Sequence, residues 1–273
     1  MTGATGFVGR QILRSLEDAG VPVRLVVRNL RTPSPDVVTT PDLFAEDAAW
    51  WAETMEGVDT VVHAAWYAEP GMYLHSPLNL HCLSGTLAMA QGAIAAGVRR
   101  FVGVGTCFEY DLSAGDLDLN TPLRPITPYA GAKAAAFLAL SQILPASGVE
   151  FAWCRLFYLY GEGEDPRRFV PYLNDRLSRG EAAELTSGVQ VRDFLDVAVA
   201  GRVIASVAGG DIQGPVNVCS GRPVTLRRMA EAIADRHGRR DLLRFGTRPD
   251  NAVDPVRVVG APTFPVPESP EPW

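Results

Sequence analysis

The chain carries twenty-four arginines and one lysine, and that lysine, Lys133, falls four residues after Tyr129 in Pro-Tyr-Ala-Gly-Ala-Lys. A guanidinium stays protonated and presents a rigid planar fork, whereas an ammonium is a compact charge whose pKa responds to its surroundings. A protein that uses arginine everywhere else reserves position 133 for the second kind. On a helix the two side chains lie about 40° apart around the axis, so phenol and ammonium share a face. A cation held beside the phenol favours phenolate and lowers the tyrosine from about 10 toward working pH. There it can pass a proton to or from a substrate oxygen, with the ammonium expected to stay charged throughout.

The elements that position this pair read as a parallel α/β fold. Thr2-Gly-Ala-Thr-Gly-Phe-Val-Gly9 sets Gly3, Gly6 and Gly9 at intervals of three, followed by Ile12, Leu13 and Leu16 at helical spacing. Such glycines permit a tight turn and close backbone approach, and the N–H groups of the next helix face a pyrophosphate. Val21 to Val27 then reads as a strand, Ala45 to Met55 as a helix, Thr60 to Ala64 as a strand, Leu78 to Ala96 as a helix and Phe101 to Gly105 as a strand. This is a doubly wound (Rossmann) pattern. Its strands end in Arg28-Asn29, Ala64-Ala65 and Thr106, which places those residues at the carboxyl edge where ligands bind. Only Met1 and Thr2 precede Gly3, so the central first strand is expected to be missing, through a late-assigned start or a true truncation.

At 273 residues, 47% hydrophobic and with net charge −6, the chain can bury a large core and carries no basic stripe for nucleic acid. No apolar run reaches the roughly 20 residues of a membrane span, and no leader-like segment is seen. Cys82, Cys107, Cys154 and Cys219 have neither zinc nor disulfide spacing, which fits a reducing cytoplasm. His63, His75, His81 and His237 lack ligand spacing, so no metal is expected. Cys107 has only Glu109 close in sequence, which would raise a thiol, and it reads as a small pocket residue rather than a nucleophile. Trp66, Tyr67, Met72 and Tyr73 fall in a loop at the carboxyl edge, where they stack on a ligand or pack on their own lobe. Arg99, Arg100, Arg167 and Arg168 read as solvated charges.

With Val61-Val-His-Ala-Ala65, Thr106 four residues before Tyr110, Tyr129-x-x-x-Lys133, Arg155-Leu-Phe-Tyr-Leu-Tyr-Gly161, Arg192-Asp-Phe194 and Asn217-Val-Cys-Ser-Gly221, the chain resembles the extended short-chain dehydrogenase/reductases. Within them it is similar to the NAD(P)-dependent nucleotide-sugar epimerases, dehydratases and reductases. The resemblance implies that Thr106 binds the substrate carbonyl or hydroxyl, Tyr129 is the acid/base, and Lys133 holds the nicotinamide ribose. It gives the dinucleotide to Gly3, Thr5, Gly6, Phe7, Val8 and Gly9, to Ala64 and Ala65, and to Asp42 and Leu43 at the adenine. Substrate contacts are implied at Tyr67, Cys107, Phe108 and Tyr158, with Arg192 on the phosphates of the sugar nucleotide. It also implies a homodimer through the Leu78 to Ala96 and Thr127 to Leu144 helices. Arg28 and Asn29, with Arg31 nearby, stand where NAD-preferring members carry an acid; an arginine there accommodates a 2′-phosphate, so NADP(H) is expected, with NAD(H) as the alternative.

Departures from the family pattern narrow the chemistry. Dehydratases place an Asp-Glu pair after the threonine; here Cys107 and Phe108 stand there, and neither serves water elimination at neutral pH. Cys82 and Tyr158 each replace a customary asparagine. The expectation is a reductase acting on a nucleotide-linked 4-keto-deoxysugar, with an NAD-dependent epimerase and a catalytically silent dinucleotide-binding protein left open. Residues 1–160 form the dinucleotide domain, rejoined by 191–208 with a helix from Phe194 to Ala208. The smaller substrate lobe spans 161–273, and a proline-rich tail after Gly260 is expected to lack regular structure.

Overall fold

The computed structural model describes residues 1–29, 36–251 and 254–266. Among the described residues, thirteen short strands and seven helices build a large parallel sheet and a smaller lobe. The strands are β1 (Leu25–Val27), β2 (Val37–Thr39), β3 (Thr60–His63), β4 (Arg100–Thr106), β5 (Asp116–Leu117), β6 (Glu150–Leu156), β7 (Tyr158–Tyr160), β8 (Ala183–Glu184), β9 (Val191–Asp196), β10 (Gly214–Val218), β11 (Pro223–Thr225), β12 (Leu243–Arg244) and β13 (Arg257–Gly260). The helices are α1 (Gly9–Asp18), α2 (Ala48–Thr54), α3 (Leu78–Ala95), α4 (Pro128–Ala146), α5 (Phe169–Ser178), α6 (Val197–Gly209) and α7 (Leu226–Arg236).

In the main sheet β3, β4, β6 and β10 run parallel in that order, and β1 pairs in parallel with β2. The place between β1 and β3, where a gap was expected, is bridged by Met1 and Thr2. Thr2 N–H donates to Val62 O at 3.0 Å and Val26 N–H to Met1 O at 2.9 Å, giving parallel bridges from Thr2 to Val26 and to His63. Two residues thus knit the sheet together at the glycine-loop end.

Hydrophobic burial covers both sheet faces. Ile12 and Leu16 of α1 pack with Val199, Val203 and Ile204 of α6 on one side. Trp51, Met89, Leu140 and Leu144 of α2, α3 and α4 cover the other. All seven residues of β4 are buried, as expected of a central parallel strand. A β-carbon on Gly85 or Gly92 would collide with Phe44 or Trp51, so these glycines set how closely α3 approaches the preceding segment. Helix α4 starts where Thr127 Oγ1 accepts from Ala130 N–H at 3.2 Å and Pro128 takes the first helical position. That start fixes Tyr129 in the first turn and Lys133 one turn deeper.

Several boundaries differ from the sequence reading. Phe194 and Leu195 are strand residues of β9, not the start of a helix, and α6 begins at Val197 where Asp196 Oδ1 accepts from Ala198 N–H at 2.7 Å. The cap decides the boundary. β10 belongs to the main sheet beside β6, so the returning segment extends past residue 208. β9 also pairs with β7, β11 and β13, while α5, α7, β8 and β12 enclose a separate apolar cluster around Leu173, Met229 and Ile233. The first strand is shorter than expected because Val21 to Arg24 lack strand pairing. Between Gly260 and residue 266 no helix or strand forms, and the remaining prolines of the tail lie outside the described residues, as does Arg31.

Arg100 overturns its reading as a solvated charge. Fully buried, it pairs with Glu150 at 2.8 Å and donates to Val207 O at 2.8 and 3.1 Å and to Ile212 O, closing the carboxyl end of α6 onto β4. Arg167 is likewise paired, to Glu69 and Asp165, each at 2.8 Å. Arg100→Leu strands two buried carbonyls and is expected to cost about 3 kcal/mol, a fall in Tm of roughly 6–12 °C by calorimetry. A variant melting within about a degree of the parent would show that Arg100 contributes nothing net.

Candidate active site

Thr106 ends β4 and caps the turn of Cys107–Glu109: its Oγ1 accepts from Phe108 N–H at 3.3 Å, and Glu109 Oε1 accepts from Thr106 N–H at 2.9 Å. The reciprocal pair is a capping box, legible in Thr-Cys-Phe-Glu. Glu109 is fully buried and also accepts from Trp153 Nε1–H at 2.9 Å and from Arg155 Nε–H at 2.7 Å. Arg155 passes the connection on, donating to Tyr110 OH at 2.9 Å, which donates to Asn217 Oδ1 at 2.8 Å. A buried carboxylate with a hydrogen-bonded guanidinium therefore underlies the end of β4. Gly105 has to be glycine, since a β-carbon would run into Trp153 and Glu109.

Tyr129, half-buried in the first turn of α4, lies near enough to the Thr106 side chain to be influenced by it. Tyr73 packs edge-on against it at 4.8 Å between ring centroids, and Trp66 does the same at 6.5 Å. Lys133, 3% exposed, donates to Val104 O at 2.6 Å and lies 3.8 Å from the Trp66 ring centroid. The loop aromatics thus face the Tyr129–Lys133 pair.

The expected charge states are corrected by this burial. Tyr129 is raised, not lowered: burial dominates, Tyr73, Glu109 and Cys107 add to it, and the nearby Thr106 side chain opposes. Lys133 is lowered to about 7, because burial outweighs the attraction of Glu109 and Cys82. Both neutral forms gain when water is excluded and no opposite charge is in contact.

Cys107, Phe108, Tyr158 and Arg192 gather on one side of Thr106. Phe108 meets Tyr158 at 6.2 Å between centroids, and the Arg192 guanidinium lies 5.2 Å from the Tyr158 ring. Cys107 is 2% exposed and its thiol is driven far up by burial and by Asp193 and Glu109, so it cannot serve as a nucleophile at neutral pH. Arg192 is paired with Asp254 at 2.7 Å, so a phosphate at this position would compete with that carboxylate. Below it, buried Asp193 accepts from Ser220 N–H at 2.7 Å, Ser220 Oγ at 2.6 Å, Gly221 N–H at 2.8 Å and Gly260 N–H at 3.1 Å, tying β9 to the ends of β10 and β13. Tyr67 is held apart from this group, its N–H directed to Cys82 Sγ at 3.4 Å.

The glycine loop fits a dinucleotide. Gly3, at φ 72°, lies against the Ala64–Ala65 peptide, and a β-carbon on Gly9 would strike Gly3 O, so the turn leaves a cradle that side chains would fill. Val8 leads into α1, Thr5 and Gly6 are exposed, and Phe7 is half-buried. Arg28 and Asn29 are exposed at the end of β1. Asp42 at the end of β2 already pairs with His81 Nε2 at 2.7 Å and accepts from Phe44 N–H at 3.0 Å; partial burial raises it, but these bonds hold it below the usual carboxylate range. Leu43 packs with the cluster under α2.

Sequence reasoning assigned no function to His63. Its Nδ1 is 2.8 Å from Thr2 Oγ1 and its Nε2 is 2.9 Å from Thr86 Oγ1, which itself donates to Cys82 O at 2.7 Å. Thr86 must therefore accept from Nε2–H, leaving Nδ1 to accept from Thr2. This relay locks the glycine-loop entry to β3 and α3. Among the described residues no group of metal-binding side chains forms, and none of the described helices is long and apolar enough to cross a membrane.

Comparison with known proteins agrees with the geometry. Residues 1–218 match the model of the NAD dependent epimerase/dehydratase family. Among curated relatives, a dTDP-6-deoxy-L-talose 4-dehydrogenase (NAD(+)) of Aggregatibacter actinomycetemcomitans is 24% identical, covering 96% of this chain and 98% of that protein. The UDP-glucose 4-epimerase of Thermotoga maritima, solved with UDP-glucose, superposes with a TM-score of 0.82 at 20% identity over 96% of this chain and 89% of its own. A dTDP-glucose 4,6-dehydratase of Streptomyces venezuelae, solved with NAD, gives 0.79 at 24% identity over 96% and 87%. The chain belongs to the NAD-dependent epimerase/dehydratase family. It is an oxidoreductase of the extended short-chain dehydrogenase/reductase type, a group of nucleotide-sugar enzymes.

His63 is pushed down to about 3 by burial and the nearby Lys133 charge, so below its unfolded pKa of about 6.5 only the unfolded chain takes up the proton. Its stabilising share is present above that pH and declines as pH falls. The stability difference between the parent and His63→Gln should shrink by about 1.4 kcal/mol per pH unit between roughly pH 6 and pH 4, measured by urea unfolding. A pH-independent difference would contradict a neutral buried imidazole.

Proposed function

We propose that the protein is an NADP(H)-dependent 4-ketoreductase of a nucleotide-linked deoxyhexose. The observation that carries it is Tyr129 set in the first turn of α4 near Thr106, beside two residues, Cys107 and Phe108, that cannot perform acid–base elimination. A phenol raised by burial is fully protonated at neutral pH, and that is the form reduction needs. Thr106 would orient the keto oxygen and Tyr129 would deliver its proton as negative charge develops there, an interaction that strengthens toward the transition state. The dinucleotide, when bound, supplies the hydride. Lys133 would place a cation on the ribose side of Tyr129, while Arg192, exchanging Asp254 for phosphate, would hold the sugar nucleotide with a planar fork. Support from kinship is the talose 4-dehydrogenase relative, whose named reaction is the oxidative direction of such a step.

For the cofactor, Arg28 supports NADPH, since no acid stands at the end of β1 to accept from an adenosine ribose. The relative's printed name carries NAD(+), which makes the comparison of the two dinucleotides decisive. A homodimer is supported by exposed apolar side chains on the outer faces of α3 and α4, Leu80 at 68% and Leu138 at 55%. Four free cysteines fit a cytoplasmic setting.

The parent enzyme should reduce at least one member of a panel of nucleotide-linked 4-ketosugars, with kcat/KM for NADPH about tenfold or more above that for NADH. Tyr129→Phe should lose roughly a hundredfold or more in kcat while binding dinucleotide normally by fluorescence titration. Full turnover in that variant would end the mechanism, and a preference for NADH would end the cofactor assignment. Light scattering should give a dimer for the parent and a folded monomer for the Leu80→Glu, Leu138→Glu double variant; a parent monomer would dismiss the interface.

A further inference from the structure

The surroundings of the only lysine contain a residue that neither the family motif nor the proposed chemistry uses. The ammonium of Lys133 has Val104 O at 2.6 Å, the Trp66 ring at 3.8 Å and the Trp153 ring at 5.7 Å. Trp66 is itself fixed, since its Nε1–H donates to Asn79 Oδ1 at 2.8 Å. Asn79 is 1% exposed and directs its amide hydrogens to Tyr73 O at 2.7 Å and Ser76 O at 2.9 Å. One buried amide on α3 therefore fixes the Trp66 indole and the backbone of Tyr73, whose ring packs on Tyr129. The other titratable groups acting on Lys133 come from each neighbouring element: Glu109 from the turn after β4, Cys82 from α3 and His63 from β3. Tyr129 shares its own helix. Glu109 is committed to Arg155, so among the described residues no carboxylate touches the ammonium, and the Trp66 face is what the cation rests on.

We infer that Trp66 is a positioning residue: its indole face, set by Asn79, holds the Lys133 ammonium against Val104 O and so keeps a cation beside Tyr129. A desolvated ammonium on an indole face gains roughly tenfold or more in favour of its charged form, and indole does this better than a phenyl ring. The importance of that cation for turnover rests on the reductase reading; the contact itself does not.

Because the chain has one lysine, selective ¹³C-lysine labelling gives a single side-chain signal, and its pH titration reads Lys133 alone. The parent midpoint is expected at about 7. Trp66→Leu, which fills apolar volume without a π face, should lower it by about one unit, and Trp66→Phe should fall between. The alkaline limb of the kcat profile should move the same way, whereas a ring that merely packs would lower Tm and leave the titration in place. An unmoved or raised midpoint in folded Trp66→Leu overturns the inference; if that variant does not fold, Trp66→Phe decides by the same criterion. The titration needs no substrate, so a protein that reduces no ketosugar would refute the proposed function while this test still gives its own answer.

Discussion

Lys133 is buried and Tyr129, one helical turn before it, is half-buried, and in that setting the charged form of each is disfavoured. The rest of the site follows from how the fold contains this cost. Among the described residues no carboxylate is brought into contact with the ammonium. A backbone carbonyl and an indole face receive it, while the buried carboxylate, Glu109, is committed to Arg155 and to the backbone of Thr106. An acid in contact would have fixed the lysine charge and held Tyr129 neutral more strongly still. Leaving it one ring away, across Trp153, keeps the lysine charge adjustable near neutrality.

The same economy of contacts explains the scaffold beneath. β4 is buried along its whole length, and Thr106 leaves the sheet through a capping box whose acid is also the partner of Arg155 on β6. The residue that would orient a keto oxygen is therefore fixed by two adjacent strands rather than by a loop. On the other side, the His63 relay from Thr2 to Thr86 joins the glycine-loop entry to α3, and α3 also carries Asn79. Cofactor edge and aromatic enclosure thus share one helix. A shift in α3 would be felt at both.

Much of this was legible in the residues. Glycine spacing, strand ends, the Tyr129–Lys133 pair and the absence of an elimination dyad all follow from residue type and local period, which survive without knowing what packs on what. The Thr106–Glu109 capping box was present too, as a sequence pattern whose partner across the sheet could not be seen. Arg100 illustrates the limit: its type and place at a strand start read as solvent-facing, and only the arrival of Val207 O and Ile212 O from the far end of α6 makes it a buried clasp. Phe194 likewise looked like a helix start until pairing of β7, β11 and β13 with β9 claimed it for a sheet.

The sequence alone settled which chemical groups are available and the order in which a parallel sheet presents them at one edge, because helical and strand periods are local properties of the chain. Tertiary structure decided the protonation of those groups. A pKa depends on water and on charges brought from distant segments, so Lys133 looked permanently charged by sequence and is brought near neutrality by burial, against the attraction of Glu109 and Cys82.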